Sequence, residues 1–169
     1  PYIDPAVAEA MGVDLVDLDT LLRESDFVVV SAALTPETRN MIDADRLALM
    51  KPTAFLISTA RGGLVDQQAL YEALRDHRIA GAGMDVFAQE PVDPNEPILQ
   101  LDNVVVTPHA LCWTDECERM MGENVLGSIQ DVAAGRVPTN VVNRDAAETP
   151  TMQEKLRRYR ERTEGSGAS

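Results

Sequence analysis

The chain has 169 residues, 44% of them hydrophobic and 25% charged, with a formal net charge of -13. Those proportions suit a globular domain with a real core, or a domain with an appendage. The acidic balance opposes nucleic acid and anionic membrane surfaces, and no apolar run approaches the roughly 20 residues that span a bilayer. No secretory leader opens the sequence, and with Pro1 in first place the natural N-terminus is expected to lie upstream. Cys112 and Cys117 are expected to sit near a helix start on different sides of the helix, as two small buried or half-buried thiols. Unpaired thiols fit a reducing, cytoplasmic setting, and no metal site is expected.

In chain order, a short helix is predicted over Ala6 to Met11 with Gly12 ending it, then a short strand over Val13 to Val16 and a helix over Leu18 to Glu24. Asp26 to Ser31 is a β-prone apolar strand. Thr35-Pro36-Glu37-Thr38 is turn chemistry, and Asp43 caps a helix over Ala44 to Met50 that Lys51-Pro52 stops. A strand over Thr53 to Ser58 is followed by a helix over Gln67 to Arg75, capped by Asp66, and by a strand over Ile79 to Val86. Pro91 to Pro97 must be irregular, and Val104 to Thr107 is the last strand. Strands alternating with helices at this spacing predict an α/β fold with a parallel sheet and right-handed crossovers.

Beyond His109 the pattern changes to one long helix over Thr114 to Ala134, with Met120, Met121, Val125, Ile129 and Val132 at helical spacing as core or subunit interface. Gly135 ends it, Val137 to Asn143 is extended, and Met152 to Ser169 is a basic, solvated helix fraying into a Gly-Ser tail.

The apolar strands end abruptly at polar groups, along the edge where open α/β sheets bind ligands. Arg61 follows a strand and precedes Gly62-Gly63; its planar fork suits a carboxylate, and glycines let backbone pass close to a ligand, although a surface salt bridge is an equal reading. His109 ends the Thr107-Pro108-His109 run, where an imidazole can exchange a proton or serve a structural hydrogen bond. Glu90 is either a solvated loop acid or the partner of His109. Asp85 can accept from a polar ligand or shape a turn.

Together, Thr59-Ala60-Arg61-Gly62-Gly63-Leu64-Val65-Asp66, Gly83-Met84-Asp85-Val86-Phe87 with Glu90-Pro91, and Thr107-Pro108-His109 closely resemble the D-isomer-specific 2-hydroxyacid dehydrogenases. Leu34-Thr35-Pro36-Glu37-Thr38-Arg39 and Gly135-Arg136-Val137-Pro138-Thr139-Asn140-Val141-Val142 fit the same family, so the resemblance runs from Pro1 to Asn143. It implies a Rossmann-like sheet and hydride exchange between NAD, or NADP, and a small 2-keto or 2-hydroxy acid. Arg61 would bind the substrate carboxylate, His109 would exchange the proton on the substrate oxygen, and Glu90 would pair with His109 and keep it protonated for reduction. Asp85 would hold the nicotinamide carboxamide; Thr59 and Ala60 would line the cofactor site through their backbones, with Ser31, His109 and Ala110 beside them. A homodimer is expected.

Two features depart from the family. No G-x-G-x-x-G turn occurs in these 169 residues, so the chain reads as the second half of such an enzyme, inactive alone, with the first βαβ unit and most of the substrate domain absent. In that reading residues 1–112 are a partial dinucleotide-binding domain, residues 113–143 a helix and extended segment returning toward the substrate domain, and residues 144–169 a partly disordered tail. Ser31-Ala32-Ala33 also replaces the His-x-Pro that relatives often show, while Glu90 argues against the formate dehydrogenase branch, which carries glutamine. A non-catalytic, corepressor-like dinucleotide sensor on the same fold, or an inactive remnant, are the alternatives.

Overall fold

Four short parallel strands organise the first part of the chain in the computed structural model, which describes residues 3–166. They are β1 (Phe27–Val30), β2 (Phe55–Ser58), β3 (Gly81–Met84) and β4 (Val104–Val106), adjacent in that order. Because each strand lies beside its successor, right-handed crossovers carry all the connecting helices to one face. That face takes Val28, Val30, Leu56, Ser58, Ala82 and Met84, all buried, and packs on Leu22, Leu47, Leu70, Ala73 and Leu74. Those helical residues come from α2 (Leu18–Glu24), α3 (Ala44–Leu47) and α4 (Gln67–Arg75). Each helix begins at an aspartate whose carboxylate accepts a backbone N–H three positions inside: Asp17 from Thr20, Asp43 from Arg46, Asp66 from Ala69.

The opposite face is open. Phe27, Val29 and Val105 are 67%, 61% and 72% exposed. Phe27 and Phe55 face each other in register and stack with centroids 5.6 Å apart. Gly81 stands opposite Phe55, and a Cβ there would fall 2.9 Å from the ring, so the missing side chain seats the aromatic.

Several elements differ from expectation. Val13 to Val16 form no strand: Val13, Leu15 and Val16 are about half exposed and no neighbouring strand pairs with them. Alternation alone does not make a strand without a partner ladder. The preceding helix, α1 (Pro5–Ala10), is capped by Asp4, and Gly12 leaves it with φ +68°. The helix expected to reach Met50 ends at Leu47, because Leu49 and Met50 bond back three residues, to Arg46 and Leu47, in a tighter turn.

The chain divides after Leu111 into a second compact unit. Its α5 (Asp115–Ala133) is capped by Thr114 and opens with Asp115, Glu116 and Glu118, matching the positive end of the helix dipole. The Met120, Met121, Val125 and Ile129 stripe is not core: each residue is more than half exposed. Cys112 precedes the helix and is exposed rather than buried, and Cys117 is half-buried. Val137 to Asn143 contains a turn and no strand, followed by α6 (Arg144–Ala147) and α7 (Pro150–Ser166). Residues 144–166 are therefore largely helical, and the helix runs on through Gly165 and Ser166, the first two residues of the expected tail; residues 167–169 lie outside the described residues. α7 docks on the end of α5: Arg160 donates to the Gly135 carbonyl and Thr163 to that of Ala133, both at 2.9 Å.

Candidate active site

The chemistry-bearing residues all lie just past the carboxyl ends of the strands. After β2 the chain runs through Thr59, Ala60 and Arg61 into a single 3-10 turn, Gly62–Leu64. A Cβ on Gly62 would fall 1.9 Å from the Phe87 carbonyl oxygen, so any side chain would push the Phe87–Ala88 backbone away. The close approach expected at this glycine is made by the chain itself rather than by a ligand.

Asp85 follows β3 and is 4% exposed. Its Oδ1 accepts from the Thr107 hydroxyl at 2.6 Å and the Ala110 N–H at 2.8 Å; its Oδ2 accepts from the Leu111 N–H at 3.3 Å. Burial would raise this carboxyl, but the three hydrogen bonds outweigh it and hold Asp85 below the ordinary aspartate value. The contacts of Asp85 are thus internal: it pins the 107–111 segment that presents His109.

His109 sits on that segment with φ +56°, a left-handed conformation that costs a side-chain-bearing residue about 1 kcal/mol or more. The bonds to Asp85 on either side hold it there. Its Nδ1 lies 2.8 Å from Glu90 Oε2, while Glu90 Oε1 accepts from the Phe87 N–H at 3.0 Å. The bond to His109, then that from Phe87, and the positive charge of Arg61 keep the Glu90 carboxyl below the usual glutamate range. An ionised carboxylate only accepts, so Nδ1 carries a proton and Nε2 is the free position of the ring.

Glu90 and His109 line a pocket of about 470 Å³ whose other walls are Phe87, Pro91, Val92 and Pro108. Thr59, Ala60 and Arg61 line a second hollow of about 560 Å³ with Ala32, Ala33 and Leu34. Arg61 is exposed; its Nη1 donates to the Ala60 carbonyl at 2.6 Å, and among the described residues no ion pair involves it. Ser31 is exposed at the end of β1 and is not part of either lining.

Sequence reasoning passed over Thr107 and Gln67 as site residues. Thr107 had a partial signal, a hydroxyl one step past a strand, but its acid lies 22 positions away; Gln67, which accepts from the Ala88 N–H, had none, since a polar residue at a helix start is unremarkable. Among the described residues no group of three or more His, Cys, Asp or Glu is placed to hold a metal ion, and no helix is long and apolar enough to cross a membrane.

The residues fit one end of a nicotinamide cofactor. The 560 Å³ hollow is floored by small alanines at the strand ends; Asp85 lines neither pocket, but its Oδ2, held only by the long bond from Leu111, keeps acceptor capacity. A glycine-rich phosphate cradle is not among these residues.

Comparison with known proteins matches residues 1–110 to the family described as D-isomer specific 2-hydroxyacid dehydrogenase, NAD binding domain. The chain is 46% identical over 144 residues to a D-3-phosphoglycerate dehydrogenase of Methanocaldococcus jannaschii, covering 85% of this chain and 27% of that protein. It is 47% identical over 135 residues to a glyoxylate reductase of Korarchaeum cryptofilum, covering 80% and 41%. Its fold superposes on the crystal structure of D-lactate dehydrogenase with NAD+ from Lactobacillus jensenii with a TM-score of 0.76 and 35% identity, covering 84% and 46%. The chain therefore spans less than half the length of each of these relatives. With the parallel sheet and the match over residues 1–110 in agreement, the chain belongs to the D-isomer specific 2-hydroxyacid dehydrogenase family, within its NAD-binding domain.

Proposed function

We propose that the protein containing this chain is a cytoplasmic, homodimeric dehydrogenase that interconverts a 2-keto acid and a D-2-hydroxy acid with NAD, NADP being the alternative cofactor. Residues 1–112 contribute the nicotinamide side of its dinucleotide domain, and residues 113–143 lead to its substrate domain.

The observation that carries this reading is the 2.8 Å contact between His109 Nδ1 and Glu90 Oε2 at the carboxyl edge of the sheet. With Nδ1 committed to Glu90, Nε2 faces the pocket and exchanges a proton with the substrate oxygen. Arg61, which among the described residues makes no close ion pair, anchors the substrate carboxylate through its two-pronged fork and draws electron density from the neighbouring carbonyl. Ser31, Thr59, Ala60, Asp85, His109 and Ala110 border the cofactor. Bound nicotinamide supplies or receives the hydride. In the reducing direction His109 passes its Nε2 proton to the substrate oxygen and is left as a neutral imidazole held by Glu90 at Nδ1.

The test is to mix the full-length enzyme with NADH, or NADPH, and a panel of 2-keto acids including glyoxylate and pyruvate, and to follow loss of the reduced-cofactor absorbance. At least one acid should be turned over, and His109→Ala should slow that reaction by about 10²-fold or more. Silence across the panel, or full rate in His109→Ala, sinks the reading.

A further inference from the structure

The turn that carries Glu90 is held by two consecutive amides. The Phe87 N–H donates to Glu90 Oε1, and the next N–H, of Ala88, donates to Gln67 Oε1, each at 3.0 Å. Gln67 is the first residue of α4, directly after its capping Asp66, and is half-buried. Ala88, Gln89 and Glu90 are all exposed, so packing does little to fix them.

The frame from which Gln67 reaches is rigid. Asn40 N–H donates to the Gly63 carbonyl, Ile42 N–H to that of Leu64, and Asp66 N–H to that of Ile42, at 2.9, 3.1 and 2.9 Å. This frame begins at Arg61 and, through Gly62, abuts the Phe87 carbonyl. One short stretch of chain therefore carries the anion anchor at one end and the tether of the acid–histidine turn at the other.

We propose that Gln67 is a positioning residue for the Glu90–His109 pair, fixing through Ala88 the turn from which Glu90 reaches the imidazole. Its effect on catalysis rests on the dehydrogenase reading; its effect on Glu90 does not. Gln67→Met keeps length and helix propensity and removes the acceptor, whereas Gln67→Glu keeps an acceptor oxygen.

The first measurement uses the 169-residue chain. The Glu90 carboxyl carbon, identified by its loss in Glu90→Gln, is titrated by NMR. The charged groups facing Glu90, His109 and Arg61, are the same in the unmodified chain and in Gln67→Met, where the Glu90 midpoint should rise toward the ordinary glutamate range. An unchanged midpoint in Gln67→Met overturns the proposal.

The second measurement uses full-length enzyme. Gln67→Met should lower kcat for keto-acid reduction by about 5- to 30-fold, the effect of losing one hydrogen bond's worth of positioning, with KM for the keto acid within about twofold because Arg61 is untouched. Gln67→Glu should restore kcat. Loss appearing in KM instead, or an equal loss in Gln67→Glu, also overturns it. If the unmodified full-length enzyme turns over no keto acid, the dehydrogenase reading fails, and the carboxyl titration alone decides the role of Gln67.

Discussion

The two sides of the candidate site are built in opposite ways. On the acid–histidine side the polar groups are tied to one another, with only the imidazole Nε2 and part of Asp85 Oδ2 left open: Asp85 accepts three hydrogen bonds, Glu90 two, and His109 is held in a left-handed backbone between residues that Asp85 pins. On the arginine side, Arg61 extends into solvent with only the carbonyl of its own neighbour for a partner. The first side is ordered before anything binds, while the second keeps its hydrogen-bonding capacity for an anion. Under the proposed function, preorganisation would serve proton exchange, which needs angstrom-scale placement, and an exposed guanidinium would serve capture of an anion.

The largest test of this contrast removes the shuttle. In full-length enzyme His109→Asn should lower kcat by about 10³-fold with little change in keto-acid KM. Arg61→Lys keeps the charge and loses the fork; kcat/KM should fall by about 10²-fold, mostly through KM, while the melting temperature changes little, since the one hydrogen bond of the exposed Arg61 side chain is to the carbonyl of its own neighbour Ala60. Asp85→Asn should do the reverse, costing about 1–3 kcal/mol of stability by disrupting the bonds that hold the 107–111 segment.

That loss has a predictable pH dependence. The folded-state pKa of Asp85 is depressed, so its contribution is fully present above the ordinary aspartate pKa and fades as pH falls through the folded value. The gap in melting temperature between the two proteins should be widest near neutrality and close below about pH 4. The smallest effect is expected at Ser58, whose buried hydroxyl has no hydrogen-bond partner among the described residues. Ser58→Ala should raise stability by about 1 kcal/mol, and a lower melting temperature would point to a partner for the hydroxyl.

Much of this was legible from local signals. Aspartates at 17, 43 and 66 stand before helical patterns, and short apolar runs ending at polar groups mark the strands, so the alternation of elements could be read directly. The pairing of Glu90 with His109 was legible because a Pro-bounded loop acid and a strand-end histidine stand in a characteristic order with Arg61. What escaped were contacts between residues distant in sequence. Ala88 meets Gln67 across 21 positions and Thr107 meets Asp85 across 22, and neither pairing leaves a periodic trace. Val13 to Val16 failed for a related reason: its alternation is real, but a strand is a property of two segments, and no second one pairs with it. The methionine stripe on α5 was read from periodicity as core or interface, and its exposure removes the first option within this chain.

The uncovered face of the sheet also governs the colloidal behaviour of this chain. Phe27, Val29 and Val105 present apolar surface, and the net charge of -13 opposes the approach of a second copy. Salt shortens the reach of that repulsion to about 8 Å at physiological ionic strength and leaves the apolar attraction intact. Dilute buffer should therefore favour dispersed molecules and concentrated salt their association.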